Sequence, residues 1–191
     1  MKLNQLKSTA FGLVVAGAAL AAGSANAYVA TLDVAGIESR DVFGAADNET
    51  RFLDLFAGAR VTGLAWNVTL FANSIQNSTT SWLSEISVDL NDGGIAGVSL
   101  SPGFGFNSPG ADTYMGSIDL VAAGADFTVG GTGRLFLEFF EFFNDFAGAD
   151  GGWSSGTLTV TYVPEPASFG LAAIALLGLG ATSRRRRQLP G

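Results

Sequence analysis

Few side chains in this sequence could do covalent or proton-transfer chemistry. The 191 residues include no Cys and no His. That removes thiolate nucleophiles, Cys-ligated metals, disulfides, the commonest general base and the commonest metal ligand. Carboxylate chemistry remains, and glycoside hydrolysis by two acidic side chains roughly 5–10 Å apart is its model case. Glu138 and Glu141 are the pair to test. Three residues apart on a helix they would share a face, but on a strand they point to opposite faces and cannot flank one bond. The run around them, Arg134–Phe143, is apolar on both strand faces, rich in Phe and bounded by Gly133, which predicts a central strand of a sandwich rather than a helix. Both are therefore expected as solvated or edge carboxylates, with no catalytic residue assigned and no enzyme activity expected.

Calcium is the other carboxylate chemistry. Acidic side chains and carbonyls in Gly-rich turns suit a hard, oxygen-seeking ion. Candidates are Asn91-Asp92, and Asp145 with Asp150. Neither matches the spacing of a calcium loop, and Asx side chains stabilise turns without any ion. No metal site and no cofactor is assigned. Three Asn-x-Thr triplets, at Asn48, Asn67 and Asn77, match the glycosylation acceptor pattern and are read as incidental.

The remaining chemistry is peptide chemistry done by other enzymes, and it lies at the two ends. Lys2 and Lys7 precede an apolar stretch, Ala10–Ala22, followed by Ala25-Asn26-Ala27. This is the layout of a secretory signal over residues 1–27, with Ala25 and Ala27 at the signal-peptidase site and Tyr28 as the expected mature N-terminus. At the other end stand Pro164-Glu165-Pro166, then the uncharged run Ala167–Ser183, then Arg184, Arg185, Arg186 and Arg187, with residues 188–191 as a short tail. The apolar run makes roughly 25 Å of helix, enough to cross an inner membrane, and the arginines hold that end in the cytoplasm. Two prolines keep the peptide around Glu165 extended just above the membrane, within reach of a membrane-embedded protease.

Val163-Pro164-Glu165-Pro166, the hydrophobic span and the Arg cluster together resemble the PEP-CTERM sorting signal, over residues 164–187. The resemblance implies recognition of Pro164, Glu165 and Pro166 by exosortase, a membrane cysteine transpeptidase. It also implies a Gram-negative host that makes exopolysaccharide or biofilm. The chain would pass transiently through the inner membrane, be cleaved near the motif, and reach the cell surface or extracellular matrix.

Between the ends, residues 28–163 keep four arginines against sixteen acidic side chains, a formal charge of −12. Such a body repels phosphate backbones and argues against nucleic-acid partners. Alternation predicts strands at Ser81–Asn91, Val61–Phe71, Thr157–Val163 and Tyr114–Val121, with Ile118 and Leu120 pointing inward in the last. Shorter strands are expected at Tyr28–Val34, Gly97–Ser101 and Asp126–Val129. Glu38–Gly58 reads as a loop with a short helix around Thr50–Phe56. Short strands separated by Gly, Pro and Asn turns predict a mainly β fold, an antiparallel β-sandwich of jelly-roll type, flanked by the signal helix and a C-terminal transmembrane helix.

The expected function is a non-catalytic exported surface or matrix protein that associates with exopolysaccharide. The alternative is a carbohydrate-binding module, which needs Trp66, Trp82, Trp153 or Tyr114 on an exposed face. Trp66 and Trp82 alternate with apolar neighbours and are expected inside. Trp153, after Gly151-Gly152, is the ring expected outside. The five phenylalanines of Arg134–Phe143 are read as core, with an aromatic sugar-stacking surface as the alternative. An exported hydrolase is the least favoured reading.

Overall fold

The computed structural model describes residues 26–74, 80–145 and 147–164. Among the described residues ten strands build two sheets, and their pairings are antiparallel. The larger runs β1 (Tyr28–Asp33), β10 (Gly151–Val163), β4 (Arg60–Ala72) and β7 (Gly110–Asp119), with β2 (Ile37–Ser39) also on β10 and β8 (Phe127–Thr128) also on β4. The smaller runs β3 (Glu49–Asp54), β9 (Arg134–Glu141), β5 (Ile86–Asn91) and β6 (Gly97–Leu100).

Period-2 alternation explains which side chains meet between the sheets. β4 turns Leu64, Val68 and Leu70 inward with Trp66 partly buried beside them, and β10 turns in Leu158 and Val160. The second sheet answers with Leu135, Leu137 and Phe139 from β9 and Ile86, Val88 and Leu90 from β5. The edge of Phe139 meets Trp153 at 5.3 Å between centroids, joining the two layers. Each buried Leu, Val or Phe contributes about 1.5–3 kcal/mol. All ten strands and this core lie inside one compact unit, Asn26–Glu165.

Several expectations need correction. The strand expected to begin at Ser81 begins at Ile86, because a turn closed by Glu85 N–H donating to the Trp82 carbonyl interrupts the alternation. Residues Thr50–Phe56 contain no helix: β3 pairs along its whole length with β9, and Phe52 packs on Phe136. β7 ends at Asp119, whose carboxylate caps a four-residue helix, α1 (Leu120–Ala123), by accepting from Ala122 N–H at 3.0 Å. Leu120 is buried as expected, but Ile118 is 40% exposed. Arg134–Phe143 does supply an inner strand, β9, between β3 and β5.

Candidate functional site

Two places on this scaffold bear on function. The first is the strand end where both terminal segments join the body. Tyr28 opens β1 and lies opposite Tyr162, near the end of β10, with ring centroids 5.8 Å apart. Phe56 closes the group at 5.2 Å from Tyr28 and 6.0 Å from Tyr162. The last strand residue, Val163, pairs with Arg60. The Arg60 guanidinium is bonded to Asp126 and holds that carboxyl below its ordinary range.

The second is a cleft of about 310 Å³ lined by Trp82, Ser84, Glu85, Phe104, Gly105, Asn107, Phe142 and Phe143. Three segments meet there: the turn at Trp82–Glu85, the loop between β6 and β7, and the residues that follow β9. Leu83 N–H donates to Ser108 O and Ser84 N–H to Phe106 O, tying the turn to the loop, while Phe142 N–H donates to Glu85 O. Gly103 permits this closeness, since a Cβ there would stand 2.3 Å from the Leu83 carbonyl oxygen. Phe104 is 83% exposed, Phe143 64% and Trp82 40%.

The tryptophans therefore reverse the expectation: Trp82 is outside and Trp153 is fully buried. Gly151 and Gly152 belong to β10, paired with β2 and β4, so the ring after them turns into the core. Phe142 and Phe143 are likewise surface rings and not core. Sequence signals for the cleft existed in the alternating Gly103-Phe104-Gly105-Phe106 loop and in two consecutive phenylalanines beyond a strand end.

The carboxylates also depart from expectation. Glu138 and Glu141 do leave β9 on opposite faces, but both are buried. Glu138 accepts from Gly44 N–H at 2.6 Å and Asn48 Nδ2 at 2.9 Å, so it pins the segment that precedes β3. Glu141 accepts from Ser81 Oγ at 3.1 Å, and the same hydroxyl lies 3.3 Å from Glu85. Its other oxygen, Oε1, has no hydrogen-bond partner. Burial, with Asp150, Glu85 and Asp145 nearby, pushes the Glu141 carboxyl up to about 9, so it is protonated at neutral pH. Burial likewise raises Glu85.

Both calcium candidates are turn structures. Asn91 Oδ1 accepts from Gly93 N–H and Asp92 Oδ1 from Gly94 N–H, and Asp145 N–H donates to Asp150 Oδ2. Among the described residues, no group of three or more acidic side chains is arranged to hold a metal ion.

A family model for the PEP-CTERM protein-sorting motif matches residues 163–187. The chain carries a PEP-CTERM sorting motif. The motif marks an exported protein that passes through a membrane and is sorted by exosortase. No curated protein matches the sequence. Three solved structures are similar to this chain. They are the infectious bursal disease virus VP2 subviral particle (14% identity, TM-score 0.32), tobacco streak virus coat protein (12%, 0.28) and Desmodium yellow mottle tymovirus (10%, 0.26). They cover 78%, 74% and 86% of this chain, which spans 35%, 89% and 91% of theirs. At such TM-scores they say nothing of what the chain does.

The PEP-CTERM match begins at Val163, the residue on which β10 ends. Pro164 follows it, half-buried, while Glu165, Pro166, the apolar run and Arg184–Arg187 lie outside the described residues. So do the signal segment and Ala25, whereas Ala27 is exposed just before β1. Among the described residues no helix is long and apolar enough to cross a membrane.

Proposed function

We propose that the chain is a non-catalytic surface or matrix protein whose body associates with exopolysaccharide after sorting. Signal peptidase cuts after Ala27. Residues 167–183 then hold the chain in the inner membrane with Arg184–Arg187 on the cytoplasmic side. Exosortase recognises Pro164, Glu165 and Pro166, cuts near them, and releases the body to the outside. The observation that carries this reading is the sorting motif beginning where the last strand ends. Val163 is the last paired residue among those described, and the two prolines that follow it in the sequence disfavour strand pairing, which suits a peptide that a protease must bind in extended form.

The test is the intact mass of the protein recovered from cell surface and medium, with and without the host's exosortase. The expected product begins at Tyr28 and ends near Pro164–Pro166 only in the strain that has the enzyme. A product that keeps its tail through Arg187 in both strains makes the chain a plain membrane-anchored protein.

A further inference from the structure

The geometry points to the cleft between Trp82, Phe104, Phe142 and Phe143 as a binding subsite for one or two sugar units of a neutral polysaccharide. This inference rests on the reading that the body is delivered to an extracellular polysaccharide.

Three features select the ligand. The cleft is lined by four aromatic rings and by no aliphatic side chain: Trp82, Phe104, Phe142 and Phe143 are 40%, 83%, 50% and 64% exposed. Such rigid rings give large contact area at little entropic cost, and the C–H faces of a pyranose stack on them. Hydrogen-bonding side chains share the lining. Asn107 accepts from Ser84 Oγ through Oδ1 at 2.9 Å, which leaves its amide hydrogens for a sugar hydroxyl. Glu85 also lines the cleft, its Oε2 fixed by Trp82 N–H at 2.9 Å, and holds the Trp82 turn in place.

Charge excludes acidic polymers. Glu85 is the one ionisable residue in the lining, and it is an acid on a strongly acidic body. A uronate or phosphate would meet no counter-charge there. Glu85 is also a poor partner for a cationic ligand, being only 7% exposed and already bonded to Ser81 and Trp82. A volume of about 310 Å³ is at the small end of the range for small-ligand clefts and suits one or two sugar units. Backbone hydrogen bonds already join the three walls, so the site is formed before a ligand arrives.

The experiment uses residues 28–163 as a soluble protein, since all ten strands and the core fall within one compact unit. Affinity electrophoresis and calorimetry would compare dextran, laminarin and galactomannan with alginate and hyaluronan. At least one neutral polymer is expected to retard and bind the protein, and the acidic pair to leave it unaffected. Trp82→Ala and Phe104→Ser should each weaken binding roughly tenfold or more. Phe52→Ala, which removes an exposed ring on β3 that does not line the cleft, should leave it unchanged. Thermal melts of each variant establish that the fold survives.

No binding to any neutral polymer overturns the inference. So does binding indifferent to Trp82 and Phe104, binding to the acidic polymers alone, or self-association abolished by Phe104→Ser. This soluble segment never meets exosortase, so failure here leaves the sorting proposal intact. A tail retained in cells would equally leave the binding result untouched.

Discussion

Tyr28 and Tyr162 face each other across the β1–β10 pair, with their rings stacked and centroids 5.8 Å apart. The relationship puts the proposed mature N-terminus beside the residue that precedes the sorting match. Antiparallel pairing makes this unavoidable, because the start of β1 must lie against the end of β10. Tyr28 and Val163, the strand residues next to the two proposed processing sites, therefore lie at one end of one sheet. Cutting at either leaves the six-residue β1–β10 register untouched.

The aromatic group at that end should be worth measuring directly. Tyr162 is 7% exposed and touches both Tyr28 and Phe56. Tyr162→Ala should cost about 3 kcal/mol by loss of buried ring contacts. Tyr28→Ala, at a ring 43% exposed, should cost about 1 kcal/mol. A double-mutant cycle in urea should return a coupling of roughly 0.5–1.5 kcal/mol. Strict additivity would mean that the stacked rings do not support one another.

Glu141 sets a pH dependence. The ordinary value for its carboxyl is 4.5 and burial in the fold lifts it to about 9, with Asp150, Glu85 and Asp145 pressing the same way. Between those values the folded protein holds a proton that the unfolded chain has released. The stabilising contribution is therefore complete below about pH 4.5 and drains away as pH climbs toward 9. Calorimetric melting should show Tm falling on the order of 5–10 °C from pH 5 to pH 9. Glu141→Gln keeps the shape, removes the proton, and should flatten that slope. An unchanged slope would assign the dependence to another group, with Glu85, raised by the same cause, the next to substitute.

The sequence made the β class and the row of Leu64, Trp66, Val68 and Leu70 legible, because alternation directly encodes which face is buried, and the inner position of β9 legible because its run is apolar on both faces. The sorting motif was legible because its parts are contiguous. What alternation hid was where a strand begins. One hydrogen bond, from Glu85 N–H to Trp82 O, delays the start of β5 to Ile86 and leaves Trp82 in a turn, outside the sheet. The cleft was hidden for a different reason, since its walls come from three separated segments that meet only after the sheets form. The burial of Glu138 and Glu141 was equally invisible, because their partners Asn48 and Ser81 are distant in sequence.

Gly156 fixes the irregularity that lets β10 serve both halves of its sheet. The register against β4 shifts between Trp153 and Ser155, and Gly156 sits just beyond with φ +113°. A Cβ there would lie 2.1 Å from the Asn67 carbonyl oxygen. Gly156→Ala combines an unfavourable backbone conformation with a backbone clash, and should destabilise by about 2 kcal/mol or more. A loss under about 0.5 kcal/mol in a thermal melt would mean that the bulge relaxes at no cost.

Asn48 and Glu138 together close the segment that leads into β3. Asn48 Nδ2 donates to Val42 O at 2.8 Å and to Glu138 Oε1 at 2.9 Å, while its Oδ1 accepts from Asp41 N–H at 3.0 Å. Asn48→Ala removes all three bonds and leaves the Glu138 carboxylate, 6% exposed, with Gly44 N–H as its remaining donor. An under-satisfied buried carboxylate costs roughly 1–3 kcal/mol. Native-state hydrogen exchange should show the amides of Asp41 and Gly44 opening at least tenfold faster, while the amides of β9 keep their protection. The same bonds occupy the amide nitrogen that the Asn48-Glu49-Thr50 triplet would offer to a glycan, so the intact mass of the exported protein should carry no sugar at Asn48. Exchange unaltered by the substitution would show that the Phe43–Phe140 ring contact at 5.5 Å, and not Asn48, holds the segment down.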